Sequence, residues 1–275
     1  MHKTSSSHLP NVLTIAGSDS GGGAGIQADL KTISALGGYG CSVITAITAQ
    51  NTQGVSASEV LSPKLVNAQL KAVLDDLGIS AIKTGMMGNA AVIQVVAAYL
   101  KEHFSGPVVV DPVMVASSGD SLLETAAVNA YLQELIPLAT LITPNLPEAA
   151  KLLDQPVPDS IITMKQRAGE LYELGAKAVL LKGGHLDGDL CTDVLFDGRE
   201  FHLFEAAKLN SANTHGTGCT LASAIATGLA KGLDLAEAVS HAKHYVTEAI
   251  RYSNELNVGS GHGPVNHFYA RSAER

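Results

Sequence analysis

The sequence predicts an α/β protein with a mostly parallel central sheet, and three observations support this fold class. Short β-rich segments alternate with segments of helical periodicity along nearly all of the 275 residues. The β-rich segments are apolar throughout, which is typical of strands that helices cover on both faces. Hydrophobic residues make up 46% of the chain, enough for one well-filled core. We therefore expect a single domain over residues 11–275, preceded by a disordered tail at residues 1–10.

The first half of the chain supplies the clearest strands and helices. Residues 11–17 (NVLTIAG) have the pattern of a buried strand, and a helix is predicted from residue 24 to residue 36 after a run of glycines. Residues 41–48 (CSVITAIT) are the next predicted strand, and KLVNAQLKAVLDDLG then has apolar residues at helical spacing. The short β-rich runs AIKTG and PVVVDPVM follow, with a helix near residues 90–101 between them.

The second half continues the alternation and adds one different element. A helix is predicted at residues 124–136, followed by the β-rich run TLITPN and by a strand in AKAVLLKGGH at residues 176–185. Residues 189–204 contain two strand patterns around Asp-Gly-Arg, which is typical of a hairpin at the edge of a sheet. Two helices, at residues 220–231 and 235–251, are predicted near the end of the chain.

Composition and charge argue against several classes of partner and location. A net charge of −8 with only 18 Lys and Arg does not suit nonspecific binding to nucleic acid or to anionic membranes. No apolar run approaches the roughly 20 residues of a membrane span, and the polar N-terminus lacks the apolar segment of a signal peptide. The three cysteines, Cys41, Cys191 and Cys219, are odd in number and widely spaced, which suits a reducing compartment. These features predict a cytoplasmic location.

The first glycine loop, GSDSGGGAGIQADLKT at residues 17–32, follows a strand and enters a helix. Residues 23–28 fit the dinucleotide-binding pattern G-x-G-x-x-A, but residues 31–58 contain no Asp or Glu to hold a ribose. The phosphate-loop pattern also fails, because no glycine directly precedes Lys31 and Thr32. The loop is therefore either a tight strand-to-helix turn or a substrate site, in which Asp19 and Asp29 bind hydroxyls or amines of a small molecule.

Polar side chains follow three of the predicted strands at the point where each strand ends. In an open parallel sheet these carboxyl ends meet at one edge, where ligands bind, so we expect a shared site. Asp111 and Glu148 are candidate Mg²⁺ holders, directly or through water. Glu148 has the alternative role of favouring the first turn of the helix that begins near Leu146. The residues at the strand ends are Asp111, Thr143, Asn145, Glu148, Lys182 and His185.

A second glycine motif, THGTGCTLASAIATGLAKG at residues 214–232, places Cys219 at the start of an apolar helix. Glycine N–H groups and the helix dipole suit an anion, and the same field would lower the pKa of a thiol there. Two alternatives stay open. Cys219 is a small buried residue that fits the turn, or it pairs with His215 as a thiol hydrolase, which the surrounding glycines do not favour.

Several long blocks occur in an order that matches one family. They are GSDSGGGAGIQADLKT, TAQNTQGV, DPVM, TPNLPEA, LKGGH and NTHGTGCTLASAIA, with GSGHGPVNHF near the C-terminus. In these blocks the chain resembles the hydroxymethylpyrimidine and phosphomethylpyrimidine kinases of thiamine biosynthesis, a branch of the ribokinase-like superfamily. The resemblance implies a three-layer α/β/α sandwich, usually as a homodimer. It also implies transfer of the γ-phosphate of ATP, with Mg²⁺, to 4-amino-5-hydroxymethyl-2-methylpyrimidine and then to its monophosphate.

The resemblance also implies roles for individual residues. Gln50 falls where the family contacts the pyrimidine, and Cys219 stands where sugar kinases of the superfamily have an aspartate base. Further positions that line the substrate pocket are Asp29, Gly17, Met86 and Val113. The Asn-x-x-Glu element associated with Mg²⁺ and phosphate is Asn145 and Glu148, to which Asp111 is added from its strand end. The residues expected to border the nucleotide are Lys182, Gly184, His185, Thr214, Gly216 and Thr143.

Phosphoryl transfer needs positioning and charge neutralisation more than covalent chemistry. We expect the N–H groups of the glycine–cysteine loop, formed by Gly216, Thr217, Gly218 and Cys219, to hold the migrating phosphoryl group. A Cys219 thiolate is expected to act as base or orienting group, and residues 115–122 are a candidate lid.

Three other functions remain as alternatives to the pyrimidine kinase. The nearest is a kinase of pyridoxal, pyridoxine or pyridoxamine, although the amide of Gln50 and the soft side chain of Met86 suit an aminopyrimidine. A non-catalytic vitamin-precursor binding protein would have no use for a phosphoryl site. A nicotinamide oxidoreductase would lack its ribose carboxylate.

Overall fold

The structure is a computed structural model that describes residues 9–114, 125–184 and 188–272, so most of the predicted tail lies outside it. Its centre is a nine-stranded sheet. The strands are β1 Asn11–Asp19, β2 Tyr39–Asn51, β3 Gly54–Val60, β4 Ile79–Thr84, β5 Val108–Val110, β6 Leu141–Ile142, β7 Val179–Leu181, β8 Leu190–Phe196 and β9 Phe201–Ala207. Their spatial order is β3-β2-β1-β4-β5-β6-β7-β8-β9.

Helices cover the sheet, and the one after β5 is irregular at its end. They are α1 Gly25–Ala35, α2 Pro63–Leu74, α3 Ala90–His103, α4 Thr125–Ala130, α5 Leu146–Leu153, α6 Ile161–Tyr172, α7 Thr217–Ala230, α8 Leu235–Arg251 and α9 Tyr269–Ser272. Wider and then tighter helical turns, Tyr131–Leu135 and Ile136–Leu138, continue α4. In the part of the chain that the structure describes, polar side chains cap the N-termini of five helices, namely Ser62, Asn89, Asn145, Ser160 and Asp234.

The middle of the sheet is parallel and its edges are antiparallel, which confirms the predicted fold class. Strands β2, β1, β4, β5, β6 and β7 run in the same direction, whereas β3, β8 and β9 pair antiparallel with their neighbours. The predicted hairpin is β8–β9, and it lies at one edge as expected. The chain leaves β1 for β2 on one side and later returns to β4 on the other. This switch point is where open α/β sheets form ligand crevices.

Alternate residues of the short central strands pack on opposite faces of the sheet. Val108 and Val110 join a core with α2, α3, α5 and α6, whereas Val109 joins a second core with α1, α7 and α8. Full burial of a valine or leucine side chain contributes about 1.5–3 kcal/mol, so both faces stabilise the sheet. The result is the expected three-layer α/β/α sandwich. Among the described residues, no helix has both the length and the apolar character needed to cross a membrane.

Besides the short C-terminal helix α9, two elements were not predicted from the sequence. Strand β3 is mostly exposed and largely polar, so it lacks the apolar run that marks the central strands. Helix α6 has a weak apolar pattern, although Ser160 and Thr163 form a capping box at its N-terminus. Neither difference changes the position of the site.

Candidate active site

A large cavity opens where the carboxyl ends of the central strands meet the N-termini of α5 and α7. Its volume is about 790 Å³, within the range of pockets that bind small molecules. It brings together most of the predicted site residues: Gly17, Gln50, Met86, Asp111, Val113, Asn145, Glu148, Lys182, Gly184, Thr214, Gly216, Thr217, Gly218 and Cys219. Asp29 and Thr143 do not line the cavity. His185 and the predicted lid at residues 115–122 lie outside the described residues.

The glycine–cysteine loop forms the N-terminus of α7 and packs directly against the first glycine loop. Gly216 is the N-cap residue and has a φ of +81°, a conformation that favours glycine. A Cβ atom on Gly216 would lie 1.9 Å from the carbonyl oxygen of Gly23, so only glycine permits this approach. Because the N-cap residue has no side chain, it cannot cap the first N–H groups of α7. With the helix dipole, these groups suit a phosphoryl oxygen.

A partly buried ion pair lies beside this loop. Nζ of Lys182 is 2.9 Å from Oδ1 of Asp111, and a Cβ atom on Gly218 would be 3.3 Å from that Nζ. Burial lowers the pKa of Lys182, but Asp111 and Glu148 outweigh burial and raise it. The Lys182 ammonium group therefore stays charged next to the loop that would hold a phosphoryl group.

Thr143 supports Asp111 and does not border the cavity. Its side chain is completely buried, and its hydroxyl donates a hydrogen bond of 3.0 Å to Oδ1 of Asp111. The expectation that Thr143 contacts the nucleotide is therefore wrong for this arrangement. The polar residue at the end of a strand was correctly recognised, but the sequence does not tell a residue that faces a ligand from one that holds its neighbour.

Glu148 is both a helix cap and part of the charged group in the cavity. Its N–H donates to Oδ1 of Asn145, and the N–H of Asn145 donates to Oε2 of Glu148, each at 2.8 Å. Burial raises the pKa of Glu148 to about 7; Lys182 opposes the rise, and Asp111 adds to it. Asp111 and Glu148 thus bring two carboxyl groups together in one cavity, a donor set that a hard divalent cation fits.

The prediction that Cys219 is a thiolate does not agree with the structure. Burial raises the pKa of the Cys219 thiol to about 11, and the carboxylates of Asp29 and Asp111 also raise it, against the lowering by Lys83. With its pKa raised to about 11, the thiol form of Cys219 predominates at pH 7. Cys219 lines the cavity, where a thiol is able to orient a substrate hydroxyl but not to act as a ready base.

The prediction that Asp29 lines the substrate pocket is also wrong, because Asp29 is a structural residue that does not contribute to the cavity wall. Its side chain is completely buried and pairs with Lys83, whose Nζ lies 2.9 and 2.8 Å from the two carboxylate oxygens. The hydroxyls of Thr14 and Ser223 donate to the same carboxylate at 2.6 and 2.7 Å. These four hydrogen bonds occupy the oxygens that were expected to bind substrate.

Asp19, in contrast, does line the cavity, and it organises the first glycine loop. Its carboxylate accepts the N–H groups of Gly21, Gly23 and Ala24 at 2.8–3.0 Å. Oδ2 of Asp19 also lies 3.1 Å from Nε2 of His215, and that nitrogen is 3.3 Å from Nε2 of Gln50. The loop is therefore both a tight turn and a part of the site. Nε2 of His215 faces Asp19 and Gln50, an arrangement that does not suit the thiol hydrolase interpretation.

The far end of the cavity was not predicted from the sequence. Its wall includes the apolar side chains of Ala206, Ala207, Leu209, Val246 and Ile250. A charged pair closes this wall, with Nζ of Lys243 2.7 Å from Oδ2 of Asp193. These residues come from β8, β9, the loop that follows and α8, and no local motif connects them. Gly184 borders the same region, since a Cβ atom there would lie 3.2 Å from Sγ of Cys191.

Comparisons with known proteins show which family the chain resembles. The family model for phosphomethylpyrimidine kinase matches residues 19–266. A hydroxymethylpyrimidine/phosphomethylpyrimidine kinase from Rhizobium meliloti is 53% identical over 94% of this chain and 96% of its own length. The thiamine biosynthesis bifunctional protein ThiED from Geobacter sulfurreducens is 54% identical over 94% of this chain. The chain spans about half, 52%, of the length of that bifunctional protein.

A solved structure of a pyridoxal kinase has a similar fold. The crystal structure of an ADP complex of pyridoxal kinase from Bacillus subtilis superposes with a TM-score of 0.88 and 36% identity, and the match covers 96% of this chain and all of that one. The family model matches most of the chain, and a kinase of similar length is more than half identical to it. These two findings establish the family. The chain belongs to the phosphomethylpyrimidine kinase family.

Proposed function

We propose that this chain transfers the γ-phosphate of ATP to 4-amino-5-hydroxymethyl-2-methylpyrimidine, and then a second phosphate to the monophosphate, in thiamine biosynthesis. The proposal depends on one observation, namely that residues suited to a phosphoryl group and residues suited to a pyrimidine line the same cavity. The glycine–cysteine loop with Lys182, Asp111 and Glu148 suits a phosphoryl group, and Gln50 with Met86 suits an aminopyrimidine. The name and the identity of the Rhizobium meliloti kinase support the same substrate class.

The residues of this chain would act mainly by positioning and by neutralising charge. The N–H groups of residues 216–219 hold the oxygens of the phosphoryl group, and the Lys182 ammonium group neutralises them from the side. Cys219 orients the substrate hydroxyl as a neutral thiol. Because phosphoryl transfer proceeds with little covalent work by the protein, a strong base is not required.

ATP and Mg²⁺ are part of the proposal, and the residues present fit both. Asp111 and Glu148 would hold Mg²⁺, with Asn145 beside them, and the ion would supply positive charge to the phosphate oxygens. The apolar wall from Ala206 to Ile250 suits the base of a nucleotide. Thr214, Gly184 and His185 are proposed to border that nucleotide. The ADP complex of the related Bacillus subtilis kinase supports a nucleotide site of this class.

A pyridoxal-type vitamer is the less favoured substrate. The pyridoxal kinase is 36% identical to this chain, whereas the Rhizobium meliloti pyrimidine kinase is 53% identical over a similar length. A non-catalytic binding protein is disfavoured as well, because the charged group beside the glycine–cysteine loop has no purpose without phosphoryl transfer.

Turnover with Mg-ATP tests the proposal. The pyrimidine alcohol, its monophosphate, pyridoxal, pyridoxine and pyridoxamine are offered side by side, and the products are identified by mass. The expected result is phosphorylation of both pyrimidines, with kcat/KM well above that for the vitamers. Phosphorylation of the vitamers alone would show that the substrate assignment is wrong while the phosphate site is right.

A homodimer and a cytoplasmic location complete the proposal. The three cysteines, Cys41, Cys191 and Cys219, are free thiols, which suits a reducing compartment. Light scattering of the purified protein tests the dimer, since a monomer mass at micromolar concentration would contradict it.

A further inference from the structure

The side-chain amide of Gln50 lies between two groups that set its orientation. The structure records the amide nitrogen 3.3 Å from Nε2 of His215 and the amide oxygen 3.1 Å from Oγ1 of Thr48. The oxygen and the nitrogen of an amide are nearly equal in size, so both orientations fill the same space. The hydrogen-bonding roles of the two neighbours therefore decide between them.

Asp19 fixes the role of His215. Oδ2 of Asp19 lies 3.1 Å from Nε2 of His215, and both side chains are buried. Burial raises the pKa of Asp19, but hydrogen bonds from His215, Ala24 and Gly21 outweigh burial and lower it, so the group is a carboxylate that only accepts. Nε2 of His215 must therefore carry a hydrogen. A nitrogen that donates cannot also accept from the amide nitrogen of Gln50, so the amide oxygen belongs on this side.

Thr48 leads to the same orientation from the other end. Its hydroxyl donates to the carbonyl oxygen of Ser18 at 2.9 Å, and a carbonyl oxygen can only accept. Since a hydroxyl has one hydrogen, Oγ1 of Thr48 has none left for the amide of Gln50. It can accept, so the amide nitrogen belongs on this side. Two independent neighbours thus require the amide to be reversed from its recorded orientation, with Oε1 of Gln50 toward His215 and Nε2 toward Thr48.

This orientation decides how an aminopyrimidine would sit. After its bonds to His215 and Thr48, the amide of Gln50 keeps one lone pair on oxygen and one N–H, which together form an acceptor–donor edge in the cavity. The amino group of the substrate would pair with the oxygen, and the adjacent ring nitrogen would pair with the N–H. In 4-amino-5-hydroxymethylpyrimidine the hydroxymethyl arm lies on the far side of the amino group from that ring nitrogen. The arm therefore lies on the side of His215, which directly precedes Gly216. The opposite amide orientation would turn the arm toward Thr48.

We propose that His215, held by Asp19, is a positioning residue that fixes the amide of Gln50 and so directs the hydroxymethyl arm of the substrate toward the glycine–cysteine loop. The proposal rests on the proposed function, because it assumes an aminopyrimidine with a reacting arm. It makes His215 a determinant of specificity that acts through Gln50 and not on the reacting atoms.

The first test does not depend on the substrate. Nitrogen-15 NMR of histidine-labelled, ligand-free protein reports which ring nitrogen of each histidine carries a proton, and comparison with the His215→Gln variant assigns the signals of His215. We expect Nε2 of His215 to be protonated. A proton on Nδ1 alone, with a bare Nε2, would overturn the proposal even if the protein is the expected kinase.

The second test measures discrimination between substrates. Wild type is compared with His215→Leu and His215→Gln for kcat and KM on the pyrimidine alcohol and on its analogue without the amino group. We expect wild type to prefer the aminated substrate by about 10- to 100-fold in kcat/KM. The analogue without the amino group would leave the amide oxygen of Gln50 without a partner, and a buried polar group without a hydrogen bond has a cost of this size. In His215→Leu this preference should shrink to within about threefold, mainly through KM, because the amide is free to rotate. His215→Gln, which can place an N–H near Asp19, should restore most of it.

His244→Leu is the matched control, since it makes the same change at an exposed position on α8. It should retain the wild-type preference. Melting temperatures establish that each variant is folded, and if His215→Leu does not fold, the NMR result on wild type decides. A folded His215→Leu protein with the full preference would overturn the proposal. A wild type that phosphorylates neither pyrimidine would instead contradict the proposed function and leave the NMR result standing.

Discussion

Lys83 and Asp29 form a completely buried ion pair beneath the active site. Nζ of Lys83 lies 2.9 and 2.8 Å from the two carboxylate oxygens of Asp29, and neither side chain is exposed. Thr14 and Ser223 donate their hydroxyls to the same carboxylate. The four residues belong to β4, α1, β1 and α7. The pair therefore connects two central strands with the helix whose first turn is the glycine–cysteine loop.

Replacement of Lys83 by Met should strongly destabilise the protein. It would leave the Asp29 carboxylate buried without its counter-ion, which typically costs about 3–5 kcal/mol of the free energy of unfolding. Urea unfolding measures the effect. Lys71→Met is the matched control, because Lys71 pairs with Asp75 at 2.6 Å on an exposed helix surface and should leave stability nearly unchanged. Equal stabilities of the two variants would show that the buried pair does not hold these elements together.

Replacement of Gly216 by Ala should disable transfer by displacing the glycine–cysteine loop. The new Cβ would lie 1.9 Å from the carbonyl oxygen of Gly23, so the backbone must move. A shift of about 1 Å in a positioning group costs roughly 100-fold in rate, and we expect kcat/KM to fall by at least that factor.

Gly232→Ala separates displacement from backbone strain. Gly232 has a similar φ of +85°, but no atom lies within 4 Å of its Cβ position. This variant should lose about 1 kcal/mol of stability from its strained backbone and keep the wild-type kcat/KM. If both glycine variants were equally active, close contact between the two glycine loops would not be needed for transfer.

The pH dependence of the reaction should not come from Cys219. Since burial raises the pKa of this thiol to about 11, it stays neutral across the range in which the enzyme is assayed. We expect Cys219→Ser to show the same shape of pH–rate profile as wild type between pH 6 and pH 9. Alkylation of Cys219 by iodoacetamide should be slow at pH 7 and rise steadily to pH 10. A limb of the profile that disappears in the variant would mean that a bound substrate or metal lowers this pKa far enough to make the thiolate a base.

The sequence predicted the places of the site better than the roles of its residues. The glycine spacing and the polar residues after apolar strands are local signals, and they located Gly216, Lys182 and Asp111 correctly at one edge of the sheet. Asp29 lies in an equally suggestive loop, but its role depends on Lys83, which is 54 residues away in the sequence. The raised pKa of Cys219 depends on burial and on the carboxylates of Asp29 and Asp111, which are distant from it in the sequence. Such long-range effects have no counterpart in a local pattern.

His267 should make the protein less stable in mild acid. Burial lowers its pKa to about 4 from an ordinary value of 6.5, and Lys31 lowers it further. Because the unfolded chain takes up a proton at higher pH than the folded one, the contribution to stability is full above pH 6.5 and is lost as the pH falls toward 4. The loss amounts to about 3 kcal/mol. The difference in the free energy of unfolding between wild type and His267→Gln should therefore shrink by that amount as the pH falls from 8 to 4. For the control variant His244→Gln, at an exposed position, the free energy of unfolding should follow the pH dependence of wild type. If His267→Gln also showed the pH dependence of wild type, burial would not keep His267 neutral.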